Sequence, residues 1–168
     1  MSPLRIAYVI NSLEGGGAAS PVPAILSLLR DPGADVRLLA LTRRNGKALP
    51  AIEEAGIETR IRPGGEKDHG AAVRWLLDKA RAFGATHLWT SLTRATLLGQ
   101  VVGARLGIPV VSWQHNAFLK PWNERLLRWR AGASALWVAD SRQVADLTVA
   151  RLQVPPERLI TWPIFFAD

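Results

Sequence analysis

Seven short apolar runs, each separated from the next by a stretch of helical period or a turn, restrict this chain to very few folds. The runs are Arg5–Ile10, Asp35–Leu41, Ile57–Arg62, His87–Ser91, Val110–Gln114, Leu136–Ala139 and Arg158–Thr161. Several are almost continuously apolar, as parallel strands covered on both faces are. Parallel neighbours need crossover connections, and these are right-handed. The alternation therefore predicts an α/β, Rossmann-like, doubly wound parallel sheet of about seven strands, for which the usual order of such sheets, 3-2-1-4-5-6-7, is expected. At 168 residues the chain can bury one good core but not two ordinary ones, so a single domain over residues 1–168 is expected.

The intervening segments carry helix signals. His69–Phe83 places Val73, Leu76, Leu77, Ala80 and Phe83 on one face. Thr93–Leu106 is apolar at Leu97, Leu98, Val101 and Val102, and Gly107 follows as a stop. Ser141 is placed to cap Arg142–Leu152, and Ser20 to cap a helix with Pro21 at its first position. Pro63–Asp68 reads as a polar surface loop. The apolar tail Trp162–Phe166 either packs back on the domain or leads into something else.

Composition narrows the function classes. No apolar run approaches the ~20 residues that span a bilayer, and no signal peptide is evident at Met1–Arg5. Zero cysteines exclude disulfides and thiolate metal sites and fit a cytoplasmic location. The net charge of +7 suits a phosphorylated substrate, an anionic membrane surface or nucleic acid. Arginine supplies seventeen of the 21 cations, which also suits a GC-rich coding bias. The cations are dispersed and no nucleic-acid motif accompanies them, so no nucleic-acid partner is expected.

The first strand runs into Gly15, Gly16 and Gly17, at the carboxyl edge where open α/β sheets bind ligands. Glycines allow close backbone approach, and helix N–H groups attract anions. A plain reversing turn is the competing reading. The spacing is not G-x-G-x-x-G, which disfavours a nicotinamide or flavin site. With strands 1 and 4 adjacent, the glycines and Ser91 fall at neighbouring strand ends. His115 ends a central strand and is expected to keep solvent access in the same cleft as Gly16. The alternative is a histidine hydrogen-bonded at a strand end. Thr90, Ser91 and Asn116 also end strands, where they can bind hydroxyls or serve turn geometry. His69, His87 and His115 share no metal-ligand spacing. No Ser-His-Asp array is legible, and Glu14, Asp140 and Glu124 show no pairing.

Lys120–Arg130 is the most unusual surface segment. On a helix, Trp122, Leu126 and Trp129 share a stripe with Arg125, Arg128 and Arg130 nearby. An ordinary helix packing its tryptophans on the sheet is the first expectation. A basic amphipathic face for an anionic membrane is the second.

Four segments together resemble a known family. They are Ile6–Ile10 with Gly15-Gly16-Gly17-Ala18; Thr86–Ser91; Gly107-Ile108-Pro109-Val110-Val111-Ser112-Trp113-Gln114-His115-Asn116; and Val138-Ala139-Asp140-Ser141 with Val154–Ile160. The third is the most specific, resembling G-h-P-h-h-h-T-x-H-[DN]. Their order resembles the amino-terminal domain of a GT-B glycosyltransferase of family four. Ala19 and Ser20 stand where the family often has an acidic and a basic residue, and Pro163–Asp168 departs from its P-N-G-h-D.

The resemblance implies the acceptor-side domain of a retaining enzyme that moves a sugar from a nucleotide-sugar to a lipid-linked or glycan acceptor. It implies His115 as the catalytic residue near the donor sugar and Gly15, Gly16 and Gly17 as substrate-binding residues, to which the strand-end positions of Ser91 and Asn116 add two more. It implies no metal and no cofactor, the nucleotide-sugar being a co-substrate. It further implies that a carboxyl-terminal nucleotide-sugar domain is missing and that the chain alone is inactive. A cytoplasmic place, peripheral on the inner membrane face, is expected from the lack of cysteines and the basic Lys120–Arg130 segment. The other class left open is a stand-alone α/β binding or interaction module without catalysis.

Overall fold

The computed structural model describes residues 3–16, 19–115 and 119–163. Strands β1 (Arg5–Ser12), β2 (Asp35–Thr42), β3 (Glu58–Ile61), β4 (His87–Ser91), β5 (Val110–Gln114), β6 (Leu136–Ala139) and β7 (Leu159–Thr161) form one sheet. Its order is β3-β2-β1-β4-β5-β6-β7, and every pairing is parallel. The predicted order and class therefore hold. The first crossover leads outward from β1 to β2, and the crossover after β3 returns to β4 on the other side of β1. The switch point lies between β1 and β4, where Ile10 is paired with Ser91.

Side chains alternate across the sheet. Tyr8, Ile10, Leu38, Trp113 and Val138 face helices α1 (Val22–Arg30) and α2 (Leu49–Glu54). Ala7, Val9, Leu39, Leu88 and Val110 face helices α3 (His69–Phe83) and α4 (Thr93–Leu106). Each fully buried large aliphatic chain contributes about 1.5–3 kcal/mol over its exposed state. A smaller cluster of Leu127, Trp137, Leu152 and Val154 ties helices α5 (Pro121–Trp129) and α6 (Arg142–Leu152) to β6.

Two helix ends follow their signals. Gly107 closes α4 in the left-handed region at φ 67°, and the Ser141 hydroxyl accepts the Val144 N–H to cap α6. Ser20 does not cap α1. Its hydroxyl donates back to the Gly16 carbonyl, and Pro21 takes the cap position with helical backbone angles. The turn around the glycines thus extends to Pro21, and α1 starts one residue later.

Helix α4 lies unusually close to the sheet. A Cβ on Gly99 would sit 2.4 Å from Thr90 Cγ2, and one on Gly103 2.3 Å from Val110 Cγ2. Beneath the helix a buried polar network fills the gap. Thr90 Oγ1 contacts Ser112 Oγ at 3.1 Å, Ser112 contacts Ser134 at 2.7 Å, and Gln100 Nε2 donates to Ser134 at 2.8 Å.

The tail packs back as far as Trp162. Its N–H donates to Ala139 O at 2.8 Å, and its ring stacks on Trp113 at 5.1 Å. Residues 164–168 lie outside the described residues.

Candidate functional site

Four adjacent strands each contribute one side chain to a hydrogen-bonded row near the carboxyl edge. Tyr8 Oη of β1 lies 2.5 Å from Ser91 Oγ of β4. Ser91 Oγ lies 2.8 Å from Nε2 of His115, which follows β5. His115 Nδ1 lies 3.0 Å from Oδ2 of Asp140, which follows β6, and Trp113 Nε1 donates to the other Asp140 oxygen. The register accounts for the convergence. Gln114 is paired with Ala139, so the next residues, His115 and Asp140, leave the sheet side by side.

A carboxylate only accepts, so His115 Nδ1–H donates to Asp140. With the ring neutral, Nε2 accepts from Ser91, and Ser91 in turn accepts from Tyr8. Burial pushes the Tyr8 phenol well above its ordinary 10.0; the Ser91 bond opposes this and the Asp140 charge adds to it. The His115 ring also stacks on Trp113, with centroids 5.3 Å apart.

Ser91, His115 and Asp140 thus form the Ser-His-Asp row that is not legible in the sequence. It is not arranged for nucleophilic attack. Ser91 is fully buried, and its oxygen is already engaged by Tyr8 and His115. Nucleophilic catalysis needs an oxygen that a substrate can reach. The hydroxyl-binding expectation for Ser91 is accordingly corrected: its hydroxyl serves His115.

The His115 side chain is 4% exposed, against the expectation of free solvent access. Both ring nitrogens are engaged within the protein, so a ring hydrogen bond to a ligand would require Ser91 or Asp140 to yield. His115 lines the sheet-end wall of a cavity of about 520 Å³ between α4 and α5. Gly15 and Gly16 line a recess of about 170 Å³. Leu92 borders both spaces, and a third recess lined by Asn11, Ser12, Glu14 and Arg94 lies between them. Gly17 and Asn116 lie outside the described residues.

The larger cavity has a mixed lining. Leu92, Leu97, Leu98, Leu119 and Leu126 make it apolar; Arg94, Lys120 and His69 bring nitrogen groups to it. No Asp or Glu is among its described lining residues. Asn11 closes its floor, with its side-chain oxygen 2.7 Å from the Ala95 N–H at the start of α4. Leu92 joins β4 to α4 at φ 75°, a left-handed angle that costs a branched residue of order 1–3 kcal/mol.

Arg94 sits at the cavity's edge, and desolvation lowers its pKa. It donates to Gly65 O and Asp68, while its Nε has no partner. Beside it, buried Arg62 grips Asp68 with two bonds of 2.6 and 2.8 Å. Sequence reading missed Tyr8, Asn11, Arg94 and Asp140. Asp140 carried a signal, since it ends a strand adjacent to that of His115. Among the described residues no three His, Asp or Glu side chains converge on a metal position.

The tryptophans of α5 correct another expectation. They do not pack on the sheet: Trp122 is 67% exposed and Trp129 77%, while Leu127 between them is buried.

No curated protein sequence matches the chain. Solved structures match its fold. HepE of Anabaena, determined in complex with UDP, superposes with a TM-score of 0.79 at 14% identity, over 94% of this chain and 43% of its own. The lipopolysaccharide outer core galactosyltransferase WaaB, in its apo form, gives 0.75 at 12% identity, over 94% and 44%. A UDP-GlcNAc 2-epimerase of Neisseria meningitidis, bound to UDP-GlcNAc, gives 0.70 at 13%, over 94% and 45%. The chain spans less than half the length of each, and at these identities the likeness is one of fold. The sequence itself matches the family model for Glycosyltransferase Family 4 over residues 15–165. The chain belongs to Glycosyltransferase Family 4, and its seven-stranded sheet is one Rossmann-like half of the GT-B architecture.

Proposed function

We propose that this domain is the acceptor-side half of a retaining glycosyltransferase, and that the cavity between α4 and α5 receives an amphiphilic, lipid-linked acceptor bearing a phosphate. The observation that carries the reading is the cavity itself. Its walls are leucine-rich, its charged lining groups Arg94 and Lys120 are cationic, and it opens at the carboxyl edge beside the switch point. Family membership supports sugar transfer. The complexes of similar folds with UDP and with UDP-glucose support a nucleotide-sugar as the donor.

In this reading His115 stands at the sugar end of the cavity, with its ring held by Ser91 and Asp140. Gly15 and Gly16 lie in a substrate-facing loop of the same edge, and Gly17 and Asn116 are assigned to substrate binding with them. A second domain holds the nucleotide, and no metal or organic cofactor is required. Transfer needs donor and acceptor oriented together in one cleft. Charge on the departing nucleotide also needs fixed partners. One wall supplies neither in full, so this chain alone does not turn over.

The test is titration of the 168-residue chain with a short-chain prenyl phosphate and with a panel of nucleotide-sugars, read by calorimetry and by nucleotide diphosphate release. The prenyl phosphate is expected to bind and to shift tryptophan emission, since Trp122 lines the cavity. Nucleotide-sugars are expected to bind weakly and to release nothing. Tight nucleotide-sugar binding, or turnover by this chain, would overturn the division between the two halves.

A further inference from the structure

Arg94 stands where the fold has little use for a cation. It lies in the first turn of α4, and the N-terminal end of a helix repels positive charge. Desolvation first, and the like charge of buried Arg62 second, push its pKa down. Its two acceptors are already served. Gly65 O accepts from Arg62 Nη2 at 2.6 Å and from Arg94 Nη2 at 3.2 Å. Asp68 Oδ1 accepts from Arg62 Nη2 at 2.6 Å and from Arg94 Nη2 at 3.4 Å. Both contacts of Arg94 thus leave one nitrogen and are the longer of each pair. Its Nε has no partner. Arg62, by contrast, spends all three of its nitrogens, with Nε on Leu41 O and Nη1 on the other Asp68 oxygen.

The Arg94 side chain is 14% exposed and borders two spaces of opposite character. The recess of about 210 Å³ on one side is lined by Glu14 and Glu66. The larger cavity on the other has no Asp or Glu among its described lining residues and is lined by Lys120 as well. An anion is therefore repelled from the recess and admitted on the cavity side. We propose that Arg94 is a two-position anion receptor: in the ligand-free domain its guanidinium rests on Gly65 and Asp68, and an anionic group in the cavity draws it off, leaving both acceptors to Arg62. The exchange strands no acceptor, because each keeps its shorter bond. It gives the crowded cation a counter-charge and turns its unused N–H groups, in a planar fork that matches phosphate oxygens, onto the ligand. Phosphate as the natural anion rests on the acceptor reading above; the receptor itself does not.

The experiment titrates the 168-residue chain with a short-chain prenyl phosphate, with the corresponding prenol and with inorganic pyrophosphate. Calorimetry reads affinity, and the side-chain Nε–H resonances of the arginines read which guanidinium responds. Both anions are expected to bind the parent, to move the Arg94 resonance and to leave that of Arg62 in place. R94Q should weaken both anions by at least about tenfold, as the loss of a charged hydrogen bond does. It should leave prenol affinity unchanged, which a merely structural role would not. R94K keeps the charge without the fork and should fall between the two. The circular dichroism of both variants should match the parent. Loss of prenol and anion binding together, an Arg62 resonance that shifts with that of Arg94, or no anion bound by the parent would overturn the receptor. Prenyl phosphate that binds the parent and R94Q alike would overturn it too, and would leave the acceptor reading standing. Pyrophosphate bound through Arg94, with no binding of prenyl phosphate, would sink the acceptor reading and leave the receptor standing.

Discussion

Ser91 Oγ and His115 Nε2 lie 2.8 Å apart although 24 residues separate them in the chain. The contact exists because β4 and β5 are parallel neighbours with Ser91 paired to Trp113. It turns a histidine at a strand end into the centre of a row that crosses four strands.

Asp140→Asn should destabilise the domain by about 1–3 kcal/mol. Asp140 accepts from both Trp113 Nε1 and His115 Nδ1. An asparagine has one accepting oxygen and one donating nitrogen, so one of these N–H groups is left without a partner. Urea unfolding of the two proteins measures the difference. A midpoint unchanged from the parent would show that the row does not hold the edge together.

Tyr8 should resist alkaline titration. It is the chain's one tyrosine, so tyrosinate absorbance reports it alone. Burial raises its folded pKa above the ordinary 10.0. The neutral phenol is favoured in the fold, so this stabilisation is fully present below pH 10.0 and is lost as pH rises beyond it. Tyrosinate should appear only together with loss of the native circular dichroism. Tyrosinate formed in a still-folded domain near pH 10.0 would contradict this.

Asp68 should act at the opposite end of the scale. Hydrogen bonds from Arg62 hold its carboxyl at about 2, down from an ordinary 3.8. The carboxylate is favoured in the fold, so its contribution is complete above pH 3.8 and is lost as pH falls towards 2. Asp68→Asn should therefore melt lower than the parent at neutral pH, and the two melting curves should converge near pH 2. A gap that stays constant across that window would place the effect elsewhere.

Gly103→Ala should destabilise by about 1–3 kcal/mol. Helix propensity alone favours alanine by about 1 kcal/mol. Packing opposes it, because the new Cβ would meet Val110 Cγ2 at 2.3 Å and the backbone oxygen of Ile108 at 3.1 Å. The backbone cannot swing aside as a long side chain can. Thermal melting of the variant gives the sign directly.

The sequence by itself determined the architecture. Strands β4, β5 and β6 and helices α3, α4 and α6 coincide with the segments read from apolar runs, periodicity and stop signals. The strand order followed from the usual order of doubly wound sheets. These features are local, or are rules that apply to any such alternation. Helix α2 was not legible, since six residues with Ile52 alone buried carry no readable period. Ser20 shows the limit of a local signal: a capping residue type is committed instead to the Gly16 carbonyl. Only the tertiary structure decided which strand ends meet at one height, because hydrogen-bond register is set by packing across the sheet. That register joins Tyr8, Ser91, His115 and Asp140. It decided as well which stripe of α5 faces inward. Leu127 and the tryptophans were both apolar candidates for the core; Leu127 packs against Trp137, Leu152 and Val154, and the indoles, on the far side of the helix, stay exposed.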